Sequence, residues 1–265
     1  MSMTGPQVVP SATTVVQTQN VQRRGMPVLL RRTMPLIVVA VVLLLTYAWV
    51  TSLELDSIER RTLNAGYITS RIGEHLVLSI IASVLVAVLA IPAGIAVSRS
   101  RSKVFRGIVI GIANIGQATP AIGVVILLAI VWQTGFTTAL LALVIYSFLP
   151  VLQNTITGLA QVDPNIRESA RGMGMTSSQV LCRVELPLAS PVILAGLRTA
   201  LVFAVGVATV ATFINAGGLG DMIINGLKLQ RYPVLVVGAV LVAAIAVLID
   251  WAAGVVEDIV RPKGL

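Results

Sequence analysis

Long apolar blocks separated by short polar segments dominate the pattern of this chain. The blocks cover about residues 34–53, 72–97, 108–132, 136–158, 188–213 and 233–256. Each block is long enough to cross the hydrocarbon core of a bilayer as a helix. Pro92 and Pro120 lie inside two of the blocks, where membrane helices tolerate them as kinks. The pattern therefore predicts an all-α integral membrane fold with about six transmembrane helices.

The remaining segments give the predicted domain organisation. Residues 1–33 lack periodicity and are expected to form a flexible tail, 34–258 a single membrane domain, and 259–265 a second short tail. No convincing small-residue cleavage site follows the first block, so it is interpreted as an uncleaved first helix rather than a signal peptide. Residues 159–187 interrupt the hydrophobic pattern, and a glycine-rich loop covers 215–231.

The distribution of basic residues predicts the orientation in the membrane. With the amino terminus inside, thirteen of the 19 Lys and Arg residues fall in inside segments, namely positions 23, 24, 31, 32, 99, 101, 103, 106, 167, 171, 183, 261 and 263. Five fall outside, and Arg198 lies within a block. This bias predicts that both termini and residues 159–187 lie on the cytoplasmic side of the membrane.

Composition excludes several classes of protein. With 56% hydrophobic and 11% charged residues, and a mean hydropathy of +0.93, the chain cannot cover a water-facing surface. Its basic residues lie in short clusters between apolar blocks, which argues against binding to nucleic acid. Cys182 is the single cysteine, and the single histidine, His75, argues against a zinc site. His75 is expected to be a helix-start residue at the outer interface, without chemistry.

Residues 159–187 predict two short helices with a bend between them. Asp163-Pro164 is a strong helix start, and Gly172 and Gly174 can end that helix in a sharp turn. The stretch from Thr176 to Gln179 has the spacing of a capping box, and the second helix is expected to stop at Pro187. Such a segment is either an amphipathic connector on the lipid headgroups or a compact knob that enters a groove on a cytoplasmic partner.

The motif in this segment resembles the signature loop of ABC importer permeases. Glu168-Ser169-Ala170 is followed after three residues by Gly174, and after nine more by Val184-Glu185-Leu186-Pro187. The signature has Glu-Ala-Ala, three residues, Gly, nine residues and Ile-x-Leu-Pro, so every spacing matches. The runs 75–79, 111–123, 162–200 and 214–223 are similar to permeases for quaternary-amine osmoprotectants such as glycine betaine, choline and carnitine.

The resemblance implies a function, partners and site residues. It implies the type I importer permease fold, in which two permeases, identical or related, form a pathway over two ABC ATPase subunits and receive substrate from an extracytoplasmic binding protein. Glu168, Ser169, Ala170, Gly174, Leu186 and Pro187 would couple this chain to the ATPases. ATP and magnesium would bind the partner subunit, because none of the three lysines here lies in a Gly-Lys-Ser/Thr phosphate loop. The chain itself is expected to bind no cofactor or metal and to have no catalytic residue.

Polar groups inside the apolar blocks are the other candidates. Asn114, Gln117, Thr119 and Pro120 in the third block face either a packed helix or the transport pathway. The loop residues Gly217, Gly218, Gly220 and Asp221 form either a plain tight turn or part of the outer mouth. Arg198 and Asp250 lie at similar depths, about 12–15 Å from the inner end, and are expected to form an intramembrane ion pair.

Other functions stay open from the residues alone. A permease for methionine or another amino acid shares the loop pattern. An ion-coupled secondary transporter needs intramembrane carboxylates, and Asp250 is the one candidate. A structural membrane scaffold is a further alternative, and an enzyme is the least favoured because no nucleophile–base set is present.

Overall fold

The computed structural model describes residues 28–260, and all of the regular structure in that range is helical. The α-helices are α1 (Val28–Thr51), α2 (Ser57–Thr62), α3 (Ala65–Arg99), α4 (Lys103–Ala118), α5 (Ala121–Val131), α6 (Phe136–Ala160), α7 (Pro164–Gly172), α8 (Ser177–Val180), α9 (Leu186–Ala208), α10 (Gly220–Lys228) and α11 (Tyr232–Val260). A π-helical turn at Leu181–Glu185 joins α8 to α9, and a 3₁₀ turn covers Val210–Ile214.

The predicted tails lie mostly outside the described residues. Residues 1–27 and 261–265 are not described, whereas 28–33 and 259–260 belong to α1 and α11. Both terminal helices therefore extend beyond the predicted membrane domain.

Five helical segments are long and apolar enough to cross a membrane, and a sixth crossing is formed if α4 and α5 count as one broken span. The prediction of an all-α membrane fold with about six spans is confirmed. We call the end of the bundle that carries α7 the α7 end, and the opposite end, which carries α10, the α10 end.

The kink predicted at Pro120 is present, but the prediction that residues 108–132 form one helix is wrong. Helices α4 and α5 meet at an angle of 100° across a short break. Proline disfavours the helical conformation in the residue before it, and Thr119 has φ −72° and ψ 136°, which is extended backbone. Pro92 and Pro150, in contrast, lie inside the unbroken helices α3 and α6.

Helices α3, α6 and α9 form the centre of the bundle, with α4 and α5 on one side and α11 and α1 on the other. Small residues bring α3 and α6 close together, as is usual where apolar lipid removes the hydrophobic drive for helix association. A Cβ atom on Gly94 would lie 2.6 Å from the Cβ atom of Thr155 on α6. The position therefore admits only glycine at the present helix separation.

Three of the buried hydroxyl groups in this centre bond to their own helices, whereas that of Ser147 on α6 has no hydrogen-bond partner among the described residues. Ser79 donates to the carbonyl of His75, Ser83 to that of Ser79, and Thr155 to that of Val151, at 2.7–2.8 Å. These bonds satisfy polar side chains without water, and they let small polar residues occupy the contact surface between helices.

Replacing Gly94 by Ala is expected to lower the free energy of unfolding by about 1–3 kcal/mol, because the added methyl group overlaps Thr155. The matched control is Gly73→Ala in the same helix, where a Cβ meets nothing within 4 Å. That change should be neutral or stabilising by up to about 1 kcal/mol. Thermal melting of the two purified variants in detergent measures the difference, and equal midpoints would contradict the packing described here.

Candidate functional site

The segment between α6 and α9 forms a bent helical projection at the α7 end. The side chain of Asp163 accepts a hydrogen bond from the amide of Asn165 at 2.8 Å, and Pro164 occupies the first turn of α7. Gly174 ends the turn with φ +85°, a conformation that side chains with a Cβ rarely adopt. These observations confirm the predicted start of the first helix and the bend after it.

The capping box predicted for the second helix is confirmed. The amide of Thr176 donates to Gln179 Oε1 at 2.8 Å, and the amide of Gln179 donates to Thr176 Oγ1 at 3.4 Å. The predicted stop at Pro187, however, is wrong. Ser177–Ala208 is one helical run, in which the π-helical turn precedes Pro187 in the first turn of α9.

The motif residues divide into an outer and an inner set. Glu168 and Ser169 are exposed, whereas Ala170 is only 2% exposed and is the buried residue of α7. Helix α7 packs against α8 and the π-helical turn. The small side chain of Ala170 therefore lets α7 pack closely against α8 and the π-helical turn, whereas Glu168 and Ser169 face outward.

The end of the motif holds a buried carboxylate that the sequence analysis did not single out. Glu185, in the π-helical turn, is 4% exposed and forms an ion pair with Arg99 at the end of α3. Leu186 is half-buried and Pro187 is exposed. The signal in the sequence was the carboxylate itself, which lies between the apolar residues Val184 and Leu186. A carboxylate buried in such surroundings needs a partner of opposite charge.

Arg198 and Asp250 are brought together between α9 and α11. Arg198 Nε and Nη2 donate to the two carboxylate oxygens of Asp250 at 2.5 and 2.6 Å, in a bidentate arrangement. Glu257 lies farther off, with an oxygen 3.7 Å from Arg198 Nη1. A Cβ on Gly254 would lie 3.1 Å from the guanidinium, so the glycine leaves room for it.

The four candidates of the third block lie around the α4–α5 break. Asn114 is exposed and donates to the carbonyl of Ile110 at 2.7 Å. The hydroxyl of Thr119 donates to the carbonyl of Ile115 at 2.8 Å, Pro120 precedes α5, and Gln117 is partly exposed. Helix α5 packs against the 3₁₀ turn that follows α9. The break thus lies beside the end of α9.

The glycine-rich loop contains helix α10 and is fastened to the start of α3. Gly217 and Gly218 have φ values of +79° and +89°, and the amide of Gly218 donates to Glu74 Oε2 at 2.8 Å. Gly220 begins α10 and is buried. A Cβ there would lie 2.1 Å from the carbonyl oxygen of Thr209, so the backbone approaches too closely for any other residue. The loop is therefore a helix-containing structure with fixed contacts.

A cluster of charged side chains also holds this loop against α3. Asp221 accepts a hydrogen bond from Thr212 and lies 2.9 Å from Arg71 Nη1, which also contacts Glu74 at 2.7 Å. Arg71 was expected among the outer basic residues. Its contact with Asp221 was not predicted, because Asp221 lies far along the chain, whereas Glu74 is only three residues away.

His75 does not lie at a helix start. It is fully buried within α3, and its Nε2 lies 3.1 Å from the carbonyl oxygen of Val205 on α9. Among residues 28–260, no group of three or more His, Cys, Asp or Glu side chains is placed to hold a metal ion.

The sequence matches the family described as the binding-protein-dependent transport system inner membrane component over residues 90–262. The glycine betaine/carnitine/choline transport system permease protein OpuCB of Bacillus subtilis (strain 168) is 42% identical over 202 residues, which cover 76% of this chain and 92% of that protein. The carnitine transport permease protein OpuCD of Listeria monocytogenes serotype 1/2a (strain 10403S) is 41% identical over 200 residues, which cover 75% and 89%.

A solved structure supports the fold. An inward-facing conformation of the MetNI methionine ABC transporter superposes with a TM-score of 0.65 at 21% identity, over 74% of this chain and 96% of that one. The family match covers more than half of this chain, and relatives above 30% identity align over most of their length. The chain therefore belongs to the family of binding-protein-dependent transport system inner membrane components.

Proposed function

We propose that this chain is the permease subunit of an ATP-driven importer of quaternary-amine osmoprotectants, with the segment 159–187 as its coupling loop. One observation carries the proposal: the motif residues form a capped, bent projection that continues without interruption into a membrane-crossing helix. Relatives of about 40% identity that bear the names of glycine betaine, carnitine and choline permeases support the substrate class.

The proposed partners follow from two facts: the sequence contains no Gly-Lys-Ser/Thr phosphate loop, and the chain belongs to a family of transport components. ABC ATPase subunits would bind ATP and magnesium and receive α7 in a groove. An extracytoplasmic binding protein would deliver substrate at the α10 end, and a second permease, identical or related, would complete the pathway. The proposal places the chain in the bacterial plasma membrane with both termini in the cytoplasm, in keeping with the inside bias of basic residues.

The coupling loop is built to transmit movement. Because α8, the π-helical turn and α9 form one helical run, a displacement of α7 by an ATPase moves α9 with it. The ion pair of Glu185 with Arg99 links the base of the loop to α3, and that of Arg198 with Asp250 links α9 to α11. Closure of the ATPases would then rock the three spans together, which is an alternating-access change.

The broken span supports a pathway between two permeases. Asn114 presents an amide on the outer surface of the bundle, where contact with hydrocarbon is costly for a polar group. A second permease against this surface would enclose Asn114, Gln117 and the break at Thr119-Pro120 in a polar path. The fastened loop with Gly217, Gly218, Gly220 and Asp221 would lie at the outer mouth.

Replacing Gly174 by Val is expected to reduce uptake roughly tenfold or more, because a β-branched residue at φ +85° costs on the order of 1–3 kcal/mol and changes the bend. Gly172→Val is the matched control, since Gly172 is helical and a Cβ there meets nothing within 4 Å. Uptake into vesicles and co-purification of the ATPase are measured together. Unchanged uptake by the Gly174 variant at normal membrane levels would refute the coupling role.

Reversing the charge of either Arg198 or Asp250 is expected to abolish most transport, because an unpaired charge inside a membrane costs about 2.5–3.5 kcal/mol. The double variant Arg198→Asp/Asp250→Arg should recover folded protein and a large part of the activity. Glu257→Gln, which removes the more distant carboxylate, serves as control and should have a small effect. If the double variant is as inactive as each single one, the pair has no role as a link.

The substrate class is tested with the chain reconstituted together with its ABC ATPase and its extracytoplasmic binding protein. ATP-dependent accumulation of radiolabelled glycine betaine, choline or carnitine is expected, with no accumulation of methionine. Methionine uptake would instead establish the amino-acid alternative. Accumulation driven by an ion gradient without ATP would contradict the importer proposal as a whole.

A further inference from the structure

A basic cavity lies beside α7, between that helix and the ends of α3, α4 and α6. Its volume is about 430 Å³. Four arginines and one carboxylate contribute its charged groups, and the side chains of α6 form an apolar wall; the charged residues are Arg99, Arg106, Arg167, Arg171 and Glu185. Three other cavities, of about 290–410 Å³, are lined mainly by apolar side chains.

The charges in this cavity are not balanced within the chain. The carboxylate of Glu185 pairs with Arg99. Among the side chains that the structure describes, Arg106, Arg167 and Arg171 form no ion pair. Three like charges, Arg106 on α4 and Arg167 and Arg171 on α7, therefore line one partly apolar space and repel one another.

An anion in the cavity would relieve this repulsion. The planar guanidinium group presents several N–H donors in a fork that matches a phosphate, and arginine is more weakly hydrated than lysine. Arginines from α4 and from both turns of α7 surround the space, so a tetrahedral oxyanion can accept hydrogen bonds from more than one of them. The chemistry of the lining thus indicates a phosphate or phosphodiester group.

The surroundings favour a phosphate carried by a lipid. On the first turns of α4, next to Arg106, the apolar side chains of Val104, Phe105 and Ile108 are 71%, 43% and 55% exposed. Such side chains at the end of a membrane-crossing element lie against acyl chains. Basic pockets between membrane helices near the bilayer surface are suited to anionic headgroups.

We infer that this cavity binds the phosphate of an anionic phospholipid headgroup, with the acyl chains along α4 and the headgroup between α4 and α7. Free inorganic phosphate shares the recognition chemistry and is the other source of the ligand. The site is separate from the transport pathway and does not depend on the identity of the transported substrate.

The test uses the full chain purified in detergent and titrated with phosphatidylglycerol, with binding followed by the shift of the melting midpoint. The variant Arg106→Gln/Arg167→Gln removes two lining charges. The control Arg101→Gln/Arg183→Gln removes two exposed charges from the same end of the bundle that do not line the cavity. The lining variant is expected to raise the apparent Kd for phosphatidylglycerol roughly 10- to 30-fold, and the control less than about threefold.

Further titrations distinguish a phospholipid headgroup from free inorganic phosphate. Phosphatidylcholine, which has the same acyl chains and no net charge, should give no shift that depends on the lining arginines. A shift with inorganic phosphate alone that is lost in the lining variant would support the site and identify free phosphate as its ligand. Equal affinities of the two double variants for phosphatidylglycerol, with no effect of phosphate, would overturn the inference. Arg171→Gln is a second lining variant in case the double variant does not fold.

Discussion

A polar group inside hydrocarbon must find its partner within the protein, and this constraint shapes the bundle more than any other. The hydroxyl groups of Ser79, Ser83 and Thr155 bond to carbonyls of their own helices, which leaves the helix surfaces free for close packing. The ionised groups cannot be satisfied in this way, so they pair between helices, as Arg198 does with Asp250. Small residues and a few specific pairs thus replace the hydrophobic drive that holds a soluble bundle together.

The same constraint explains where the bundle can move. Helices α3, α6 and α9 share tight contacts, so they are suited to shift as units rather than bend. The backbone departs from helical geometry at the π-helical turn 181–185 before α9, at the 3₁₀ turn 210–214 after it, and at the α4–α5 break, after which α5 packs against that 3₁₀ turn. A helix bounded by irregular turns at both ends is suited to rigid-body displacement.

The sequence predicted the spans and the caps because both depend on neighbouring residues. Length and hydropathy located the crossings, and Asp163-Pro164 and Thr176 with Gln179 marked two helix starts. The position of the break at Pro120 was predicted as a kink, but its angle of 100° was not, because Pro92 and Pro150 occur in similar apolar runs and leave their helices intact. Similar depth was enough to suggest Arg198 with Asp250. The contacts of Arg99 with Glu185 and of Arg71 with Asp221 depend on how distant segments pack, which no local pattern contains.

The position of Ala170 changes what the loop motif means physically. Ala170 was expected to couple this chain to the ATPases, yet its side chain is buried against this chain while Glu168 and Ser169 face outward. The small residue and Gly174 therefore fix the angle between α7 and α8, and in the proposed coupling role the outward residues would meet the partner. A projection that transmits force must be stiffer than the contact through which it is pushed. Under that proposal, a motif that fixes its internal geometry would be as necessary for coupling as one that binds, and the continuous helical run from α8 into α9 would carry the movement into the membrane.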